Sequence, residues 1–158
     1  MAIPARNSIP ESSLSTSRTF FATTKTSMGK RLLQSERNAI LLVDVLRSCV
    51  SERKFLLHDF VIMPDHVHLL ITVQEDMTIE KAMQLIKGRF SYRLKRECQY
   101  LGEVWQRGFS ETRADDERRF LSYREYISQN PVKAGLADTP IQYPYCYRYL
   151  AMKKESRG

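Results

Sequence analysis

Two histidines separated by one residue are the most chemically suggestive feature of the chain. His66 and His68 lie in the segment MPDHVHLL, which begins at Met63 and is followed by further β-favouring residues. Side chains two residues apart on a strand project from the same face, so both imidazoles could converge on one cation. Val67 and Leu69 alternate with them and should bury against helices. The pattern predicts a divalent metal site, although two ordinary histidines on a half-polar strand would look the same.

A third metal ligand and a nucleophile are available further along the chain. Tyr126 and Asn130 are four residues apart, which places a phenol and an amide carbonyl on one helical face. Asn130 precedes Pro131, and such a pair is also favoured as a helix cap and first-turn proline. Taken locally, the sequence favours the cap for Asn130 and a half-buried aromatic role for Tyr126.

Length and charge set limits on the class of protein. The chain has 158 residues, 42% of them hydrophobic, and a formal net charge of +7, which fits one domain and favours a polyanionic partner such as nucleic acid. Three widely spaced cysteines give no zinc or disulfide pattern. No secretory or membrane-spanning segment is evident, so we expect a cytoplasmic protein without membrane contact.

The elements that must position these side chains can be read from turn signals and periodicity. Residues 1–17 should be a flexible lead-in, 18–150 a single domain and 151–158 a basic tail. Within the domain we expect strands at 19–26, 54–63 and 66–73 and a short one within 104–109. Helices should run from Ser35 or Asn38 to about Val50, from Ile79 to about Cys98, and from the acidic run 115–117 to near Asn130.

This element order predicts an α+β domain. Strand, helix, strand, strand, helix, short strand and helix suit a ferredoxin-like antiparallel sheet with helices packed on one face. The hairpin 54–73 would then present the histidine pair. The C-terminal helix would have to approach it.

Three sequence blocks together resemble one family. The segment MPDHVHLL, starting at Met63, is similar to the HUH signature (histidine, hydrophobic residue, histidine) of the REP-associated tyrosine transposases of bacteria. VWQRGF from Val104 is similar to their Trp-Gln block, and YISQNPVKAGL from Tyr126 to their tyrosine helix. YPYCY from Tyr143 resembles their ending, except that Cys146 stands where serine is usual. The resemblance covers about 18–150.

The resemblance implies a single-tyrosine HUH transposase of ferredoxin-like fold. Such an enzyme cleaves single-stranded DNA beside a hairpin and becomes joined to the 5′ phosphate. By position, Tyr126 is the nucleophile, with Tyr123 as the second choice, and His66, His68 and Asn130 are ligands of Mg²⁺ or Mn²⁺. Because only neutral imidazole binds a metal, activity should fall below pH about 6.5. The sequence leaves open whether the protein is a monomer or a homodimer.

Basic and aromatic residues near these blocks are candidates for holding DNA. Each could instead belong to a solvated helix face, and Trp105 could belong to the core. His58 has no partner at ligand spacing and is interpreted as structural. The candidate DNA-binding residues are Lys87, Arg89, Arg93, Arg96, Trp105, Gln106, Arg107 and Lys133.

Two other functions are compatible with the same residues. A nucleic-acid-binding domain of this fold could lack catalysis, with Tyr126 purely structural. A metal-dependent hydrolase could use the histidine pair to activate water, without a covalent intermediate. A denaturant-resistant protein–DNA adduct would separate the transposase from both.

Overall fold

The computed structural model describes residues 17–147 and 150. Its strands are β1 (Ser17–Lys25), β2 (Leu56–Met63), β3 (His66–Gln74) and β4 (Ser110–Arg113). Its α-helices are α1 (Glu36–Ser51), α2 (Ile79–Cys98) and α3 (Glu117–Lys133), and short 3-10 turns occupy Ser27–Gly29 and Pro140–Gln142. Residues 1–16 of the predicted lead-in 1–17 and the predicted basic tail 151–158 lie outside the described residues, and Ser17 is the first residue of β1.

Each helix begins where a side chain can accept a hydrogen bond from the otherwise unpaired N–H groups of its first turn. Ser35 accepts from the N–H of Asn38, Thr78 from that of Lys81 and Asp116 from that of Arg119. A side-chain oxygen two or three residues before a free N–H is the usual way to start a helix. Ser35 rather than Asn38 is therefore the cap of α1.

The four strands form one antiparallel sheet in the order β2, β3, β1, β4. β3 pairs with β1 from Ser17 opposite Gln74 to Lys25 opposite His66, so His66 lies at one end of the sheet, here called the histidine end. This order, with a helix after β1 and another after β3, is the predicted ferredoxin-like arrangement.

The sheet is covered on both faces. α1 and α2 bury one face, where Phe20, Phe60, Val67 and Leu69 join their apolar residues in the main core. α3 lies across the other face, where Leu70 and Ile127 belong to a second, smaller core. The helices of the ferredoxin-like unit thus share one face, as predicted, and α3 is added on the opposite face, to which His66 and His68 project.

The predicted bounds of β1 and β2 are off by one or two residues, and two other elements depart further from the sequence prediction. The fourth strand is Ser110–Arg113, not within 104–109, which contributes only an isolated bridge between Thr26 and Trp105. All four residues of β4 are exposed, so the strand lacks the apolar pattern that a sequence search depends on.

The third helix continues beyond Asn130 to Lys133 and contains Pro131. The proline removes one backbone hydrogen bond only in the last turn, and its ring is buried. The helix is closed just beyond Lys133 by Gly135, whose φ of +75° allows the bonds from the N–H of Gly135 to Val132 O (3.0 Å) and from that of Leu136 to Pro131 O (2.8 Å).

The aromatic segment after α3 covers the free edge of β2. The N–H of Ile62 donates to Tyr145 O (2.9 Å), and the phenol of Tyr143 donates to Ile62 O (2.6 Å). Val61 and Cys146 form a further bridge. This contact closes an edge that would otherwise expose unpaired backbone groups. Tyr149, which the sequence placed in the same aromatic segment, lies outside the described residues.

Candidate active site

The two histidines lie side by side on the face of β3 that α3 covers. Their ring centroids are 4.7 Å apart. Each Nδ1 has a hydrogen-bonding neighbour at 2.7 Å: Asp65 Oδ1 for His66 and Thr23 Oγ1 for His68. When these oxygens accept hydrogen bonds from the two Nδ1–H groups, both Nε2 lone pairs are left for a metal ion.

The protonation state of His68 suits a metal ligand. Burial lowers the pKa of His68 to about 4, with smaller contributions from the nearby His66 and the Lys25 cation. Desolvation disfavours the charged imidazolium, so the ring is neutral at physiological pH without a bound metal. As the pH falls, His68 therefore keeps its neutral, metal-binding form to a pH well below the value of about 6.5 expected for a free imidazole.

Helix α3 brings Tyr126 to the histidines. The Tyr126 ring lies 5.4 Å from the His68 ring, centroid to centroid, and meets it edge on. Phe21 of β1 forms the floor, because its ring stacks against His68 at 5.3 Å and contacts the edge of Tyr126 at 5.7 Å. Tyr126 remains 44% exposed, so its phenol borders both the histidine pair and solvent.

The direction of α3 places Asn130 towards the histidine end. Near the start of the helix, Phe120 contacts His58, which also lies close to Thr72 of β3. Two turns later Tyr126 contacts His68. Asn130 is one turn further in the same direction, on the same helical face as Tyr126. Because Asn130 lies inside the helix, the N-cap interpretation that local sequence favoured is wrong.

Tyr123, Tyr126 and Tyr143 lie on this face of the sheet, and their surroundings differ. Tyr123 stacks flat on Phe21 at 4.3 Å, which occupies one side of its ring. Burial raises the pKa of Tyr143 to about 12, and its hydroxyl is committed to Ile62 O. Tyr126 alone of the three combines high exposure with contact to His68. The geometry therefore supports the predicted ranking of Tyr126 over Tyr123.

The donor set fits a divalent cation held by two imidazoles and an amide. Among the described residues, no group of three or more His, Cys, Asp or Glu side chains could hold a metal ion, so a third protein ligand must be of another type. The carbonyl oxygen of Asn130 suits Mg²⁺ or Mn²⁺. Asp65 is engaged with His66 Nδ1 and is thus placed to orient a ligand.

Most basic residues predicted to hold DNA on α2 are engaged within the protein. Arg89 forms two hydrogen bonds with the Glu52 carboxylate, at 2.8 and 3.0 Å, and Arg93 bonds Asp44 and Glu97. Their helix lies on the face of the sheet opposite the histidines. The structure does not bring them together with Tyr126.

Other predicted DNA-binding residues on the α2 side of the sheet form hydrogen bonds with neighbouring groups of the protein. Lys87 Nζ donates to the carbonyls of Gln106 (3.1 Å) and Gly108 (2.7 Å). Trp105 Nε1 donates to Lys87 O, and the Trp105 ring packs against Phe90, which supports the core alternative considered for this tryptophan. Arg96 donates to the Tyr92 hydroxyl at 2.9 Å.

The remaining predicted residues lie at the histidine end. The N–H of Gln106 donates to Lys25 O at 2.8 Å, which places Gln106 and the exposed Arg107 beside the end of β1. Lys133 Nζ lies 5.9 Å from the centre of the Tyr126 ring. Lys133 therefore lies beside Tyr126, and Gln106 and Arg107 lie beside the end of β1 that pairs with His66.

Four residues of the site were missed by the sequence reasoning. Thr23, Phe21 and Lys25 come from β1, a strand whose partner and register could not be read from its own residues. Asp65 stands next to His66 in sequence and was assigned only to the turn. A carboxylate adjacent to a ligand histidine was the one signal that could have been used.

The described residues contain no helix with both the length and the apolar character that crossing a membrane requires. The family described as "Transposase IS200 like" matches residues 20–130. A Haemophilus influenzae protein assigned as a REP-associated tyrosine transposase is 30% identical over 104 residues, which are 60% of this chain and 59% of that protein. The chain thus spans about three fifths of this curated relative.

Two solved structures share the fold. A REP-associated tyrosine transposase bound to a REP hairpin superposes with a TM-score of 0.72 at 22% identity, covering 87% of this chain and 81% of the other. A Deinococcus radiodurans protein assigned as a transposase gives a TM-score of 0.55 at 21% identity, covering 70% of this chain and 88% of that one.

Proposed function

Because the chain belongs to the IS200-like transposase family, we propose that it cleaves and rejoins single-stranded DNA through a 5′-phosphotyrosine on Tyr126. His66, His68 and Asn130 would hold a divalent cation, Mg²⁺ or Mn²⁺. The family match covers residues 20–130, which include all four of these side chains.

The observation that carries this proposal is the contact between Tyr126 and His68 across two separate elements. The two rings are 5.4 Å apart, with the phenol exposed and the imidazole kept neutral by burial. A nucleophile next to ligands for a Lewis acid is the arrangement that phosphodiester transfer requires. A purely structural tyrosine would gain nothing from 44% exposure at this position.

The covalent step follows from the chemistry of these groups. The Tyr126 oxygen attacks phosphorus as its O–H proton is lost to solvent, the bond from phosphorus to the 3′ oxygen breaks, and that oxygen leaves as a 3′ hydroxyl after taking up a proton. A cation at the histidines would neutralise charge on a non-bridging phosphate oxygen. The phosphotyrosine conserves the bond, so a second 3′ hydroxyl can reverse the step without ATP.

Hairpin DNA is the proposed substrate class. One structural neighbour is a REP-associated transposase solved with a REP hairpin, and it covers 87% of this chain. The net charge of +7 favours association with phosphates. Lys25, Arg107 and Lys133 lie at the end of the sheet that holds the histidines, which gives a strand entering the site cationic neighbours.

The test is the formation of a protein–DNA adduct. Hairpin-flanked single strands labelled at either end are incubated with the protein and Mn²⁺, then separated under denaturing conditions. We expect the 3′ label to migrate with the protein and the 5′ label to appear as a shorter free strand. Tyr126→Phe should abolish the adduct, whereas Tyr123→Phe should retain it.

The same assay separates the rival functions. Shorter strands with either label and no adduct would indicate a hydrolase that uses water. Binding without cleavage would indicate a non-catalytic nucleic-acid-binding domain. An adduct that persists in Tyr126→Phe would show that the nucleophile is wrongly assigned.

A further inference from the structure

A methionine at the histidine end is held exposed in an unfavourable backbone conformation. Met28 lies in the 3-10 turn Ser27–Gly29 with φ 56° and ψ 26°, the left-handed region that non-glycine residues rarely adopt. Its side chain is 89% exposed. Both features raise the free energy of the folded state, because left-handed backbone is strained and an exposed apolar side chain forgoes the stabilisation that burial would give.

Hydrogen bonds from two neighbouring segments fix this turn. The N–H of Thr26 donates to Asp65 O (3.0 Å), and that of Ser27 donates to Val104 O (2.9 Å). The Thr26 hydroxyl lies within bonding distance of Asp65 O as well, at 3.1 Å. The turn is therefore tied directly to the residue that orients His66, so its position is set by the same structure that sets the metal site.

Cations without an ion pair surround the turn. Lys25, Lys30 and Arg31 are exposed, and none of them takes part in a salt bridge within the part of the chain that the structure describes. This contrasts with Arg89 and Arg93 on α2, which are both paired. Arg31 Nε donates to Gln34 Oε1 (3.2 Å), which leaves its charge without a carboxylate partner among the described residues. An apolar tip among such cations suits a ligand that has apolar faces and phosphates.

We infer that Met28 is a nucleobase contact, on which an unpaired base of the DNA strand next to the scissile phosphate rests while Lys30 and Arg31 bind its flanking phosphates. A polarisable thioether packs favourably against an aromatic ring. A rigid, strained and solvent-facing methionine beside the metal site serves this purpose without rearrangement. The inference rests on the proposed DNA-processing function.

The contact can be observed without catalysis. In a Tyr126→Phe background, which cannot form the adduct, methionine methyl groups are labelled with ¹³C, and the Met28 signal is assigned by its loss in Met28→Ala. A saturating short oligodeoxyadenylate should move the Met28 methyl signal upfield through the adenine ring current. An abasic oligomer of equal length should leave that signal in place.

Affinity provides a second measurement. Met28→Ala should weaken oligodeoxyadenylate binding roughly 2- to 10-fold and leave binding of the abasic oligomer unchanged. Leu121→Ala, which removes another exposed apolar side chain (53%) from the second turn of α3, should bind both oligomers like the parent. An unmoved Met28 signal at saturation, absence of binding, or equal loss for both oligomers would overturn the inference.

Failure here is distinguishable from failure of the proposed function. The adduct assay requires the phenol oxygen of Tyr126. The binding measurements do not, because the Tyr126→Phe background has no such oxygen. An adduct formed by the parent protein together with an unmoved Met28 signal would reject only the nucleobase contact. Met28→Gly is a folding control, because glycine accepts the positive φ and should not lower stability.

Discussion

Thr23 Oγ1 and His68 Nδ1 lie 2.7 Å apart across the pairing of β1 with β3, where the two residues stand opposite each other. The bond gives the His68 ring one orientation and directs its Nε2 away from β1. Such a partner usually fixes which nitrogen is protonated and raises the basicity of the ligand. The neighbouring strand therefore helps to orient a proposed metal ligand without supplying one itself.

Replacing Thr23 should weaken metal binding more than folding. Thr23→Val keeps the side-chain shape but removes the hydroxyl, so we expect Mn²⁺ affinity to fall by about 10- to 100-fold. Titration calorimetry of the metal-free protein with Mn²⁺ measures this. Thr23→Ser, which keeps the hydroxyl, should bind Mn²⁺ nearly as well as the parent; equal affinity in Thr23→Val would contradict the assigned role.

Asn130→Ala tests whether Asn130 is a metal ligand or only a structural residue of α3. Asn130 lies inside α3, where alanine has the higher helix propensity, so thermal stability without metal should be unchanged or slightly higher. Loss of a ligand should nevertheless reduce Mn²⁺ affinity by about tenfold or more. A drop in stability with unchanged Mn²⁺ affinity would instead indicate a purely structural role for Asn130 in α3.

Acid should destabilise the metal-free protein through its buried histidines. Burial, aided by the Arg124 cation, lowers the pKa of His58 to about 4, and burial likewise lowers that of His68 to about 4. Between pH 6.5 and about 4 the unfolded chain binds protons that the folded chain excludes, so stability present above pH 6.5 is lost as the pH falls. His58 contributes up to about 2 kcal/mol after allowance for its partial exposure.

Urea unfolding in EDTA at several pH values between about 6.5 and 4.5 measures this loss. His58→Asn cannot titrate, and its free energy of unfolding should vary less with pH over that range. The parent value at pH 7 will also differ, because His58 Nε2 lies 2.6 Å from Thr72 Oγ1. Only the slope against pH is decisive, and equal slopes would show that His58 is not the titrating group.

Salt dependence should identify the DNA-binding face. Each phosphate contact releases counterions, so Lys30→Ala or Arg31→Ala should weaken binding of hairpin-flanked DNA and reduce the slope of log K against log [salt] by about 1. Arg89→Ala should leave the slope unchanged, because this guanidinium is paired with Glu52 on the opposite face. Fluorescence anisotropy over a series of salt concentrations gives the slopes, and a lower slope for Arg89→Ala alone would place the DNA on α2.

Sequence periodicity predicted much of the fold. The spacing of Ile79, Met83 and Phe90 predicted the helix α2 with the bounds that the structure has, and all three residues are buried. Alternation along β3 correctly placed Val67 and Leu69 on the face buried against helices and the two histidines on the other. These predictions succeed because burial of one face is a local pattern. β4 was misplaced, since an exposed strand of four residues has no such pattern.

For the site, the sequence by itself determined which side chains could do chemistry, because His66 with His68 and Tyr126 with Asn130 each share a face through the period of one element. Only the tertiary structure decided that Tyr126 of one pair contacts His68 of the other, which requires α3 to cross the histidine face of the sheet. It also decided the orienting bond from Thr23 and the pairing of Arg89 with Glu52. Contacts between residues far apart in the chain depend on strand register and helix packing, which no local spacing encodes.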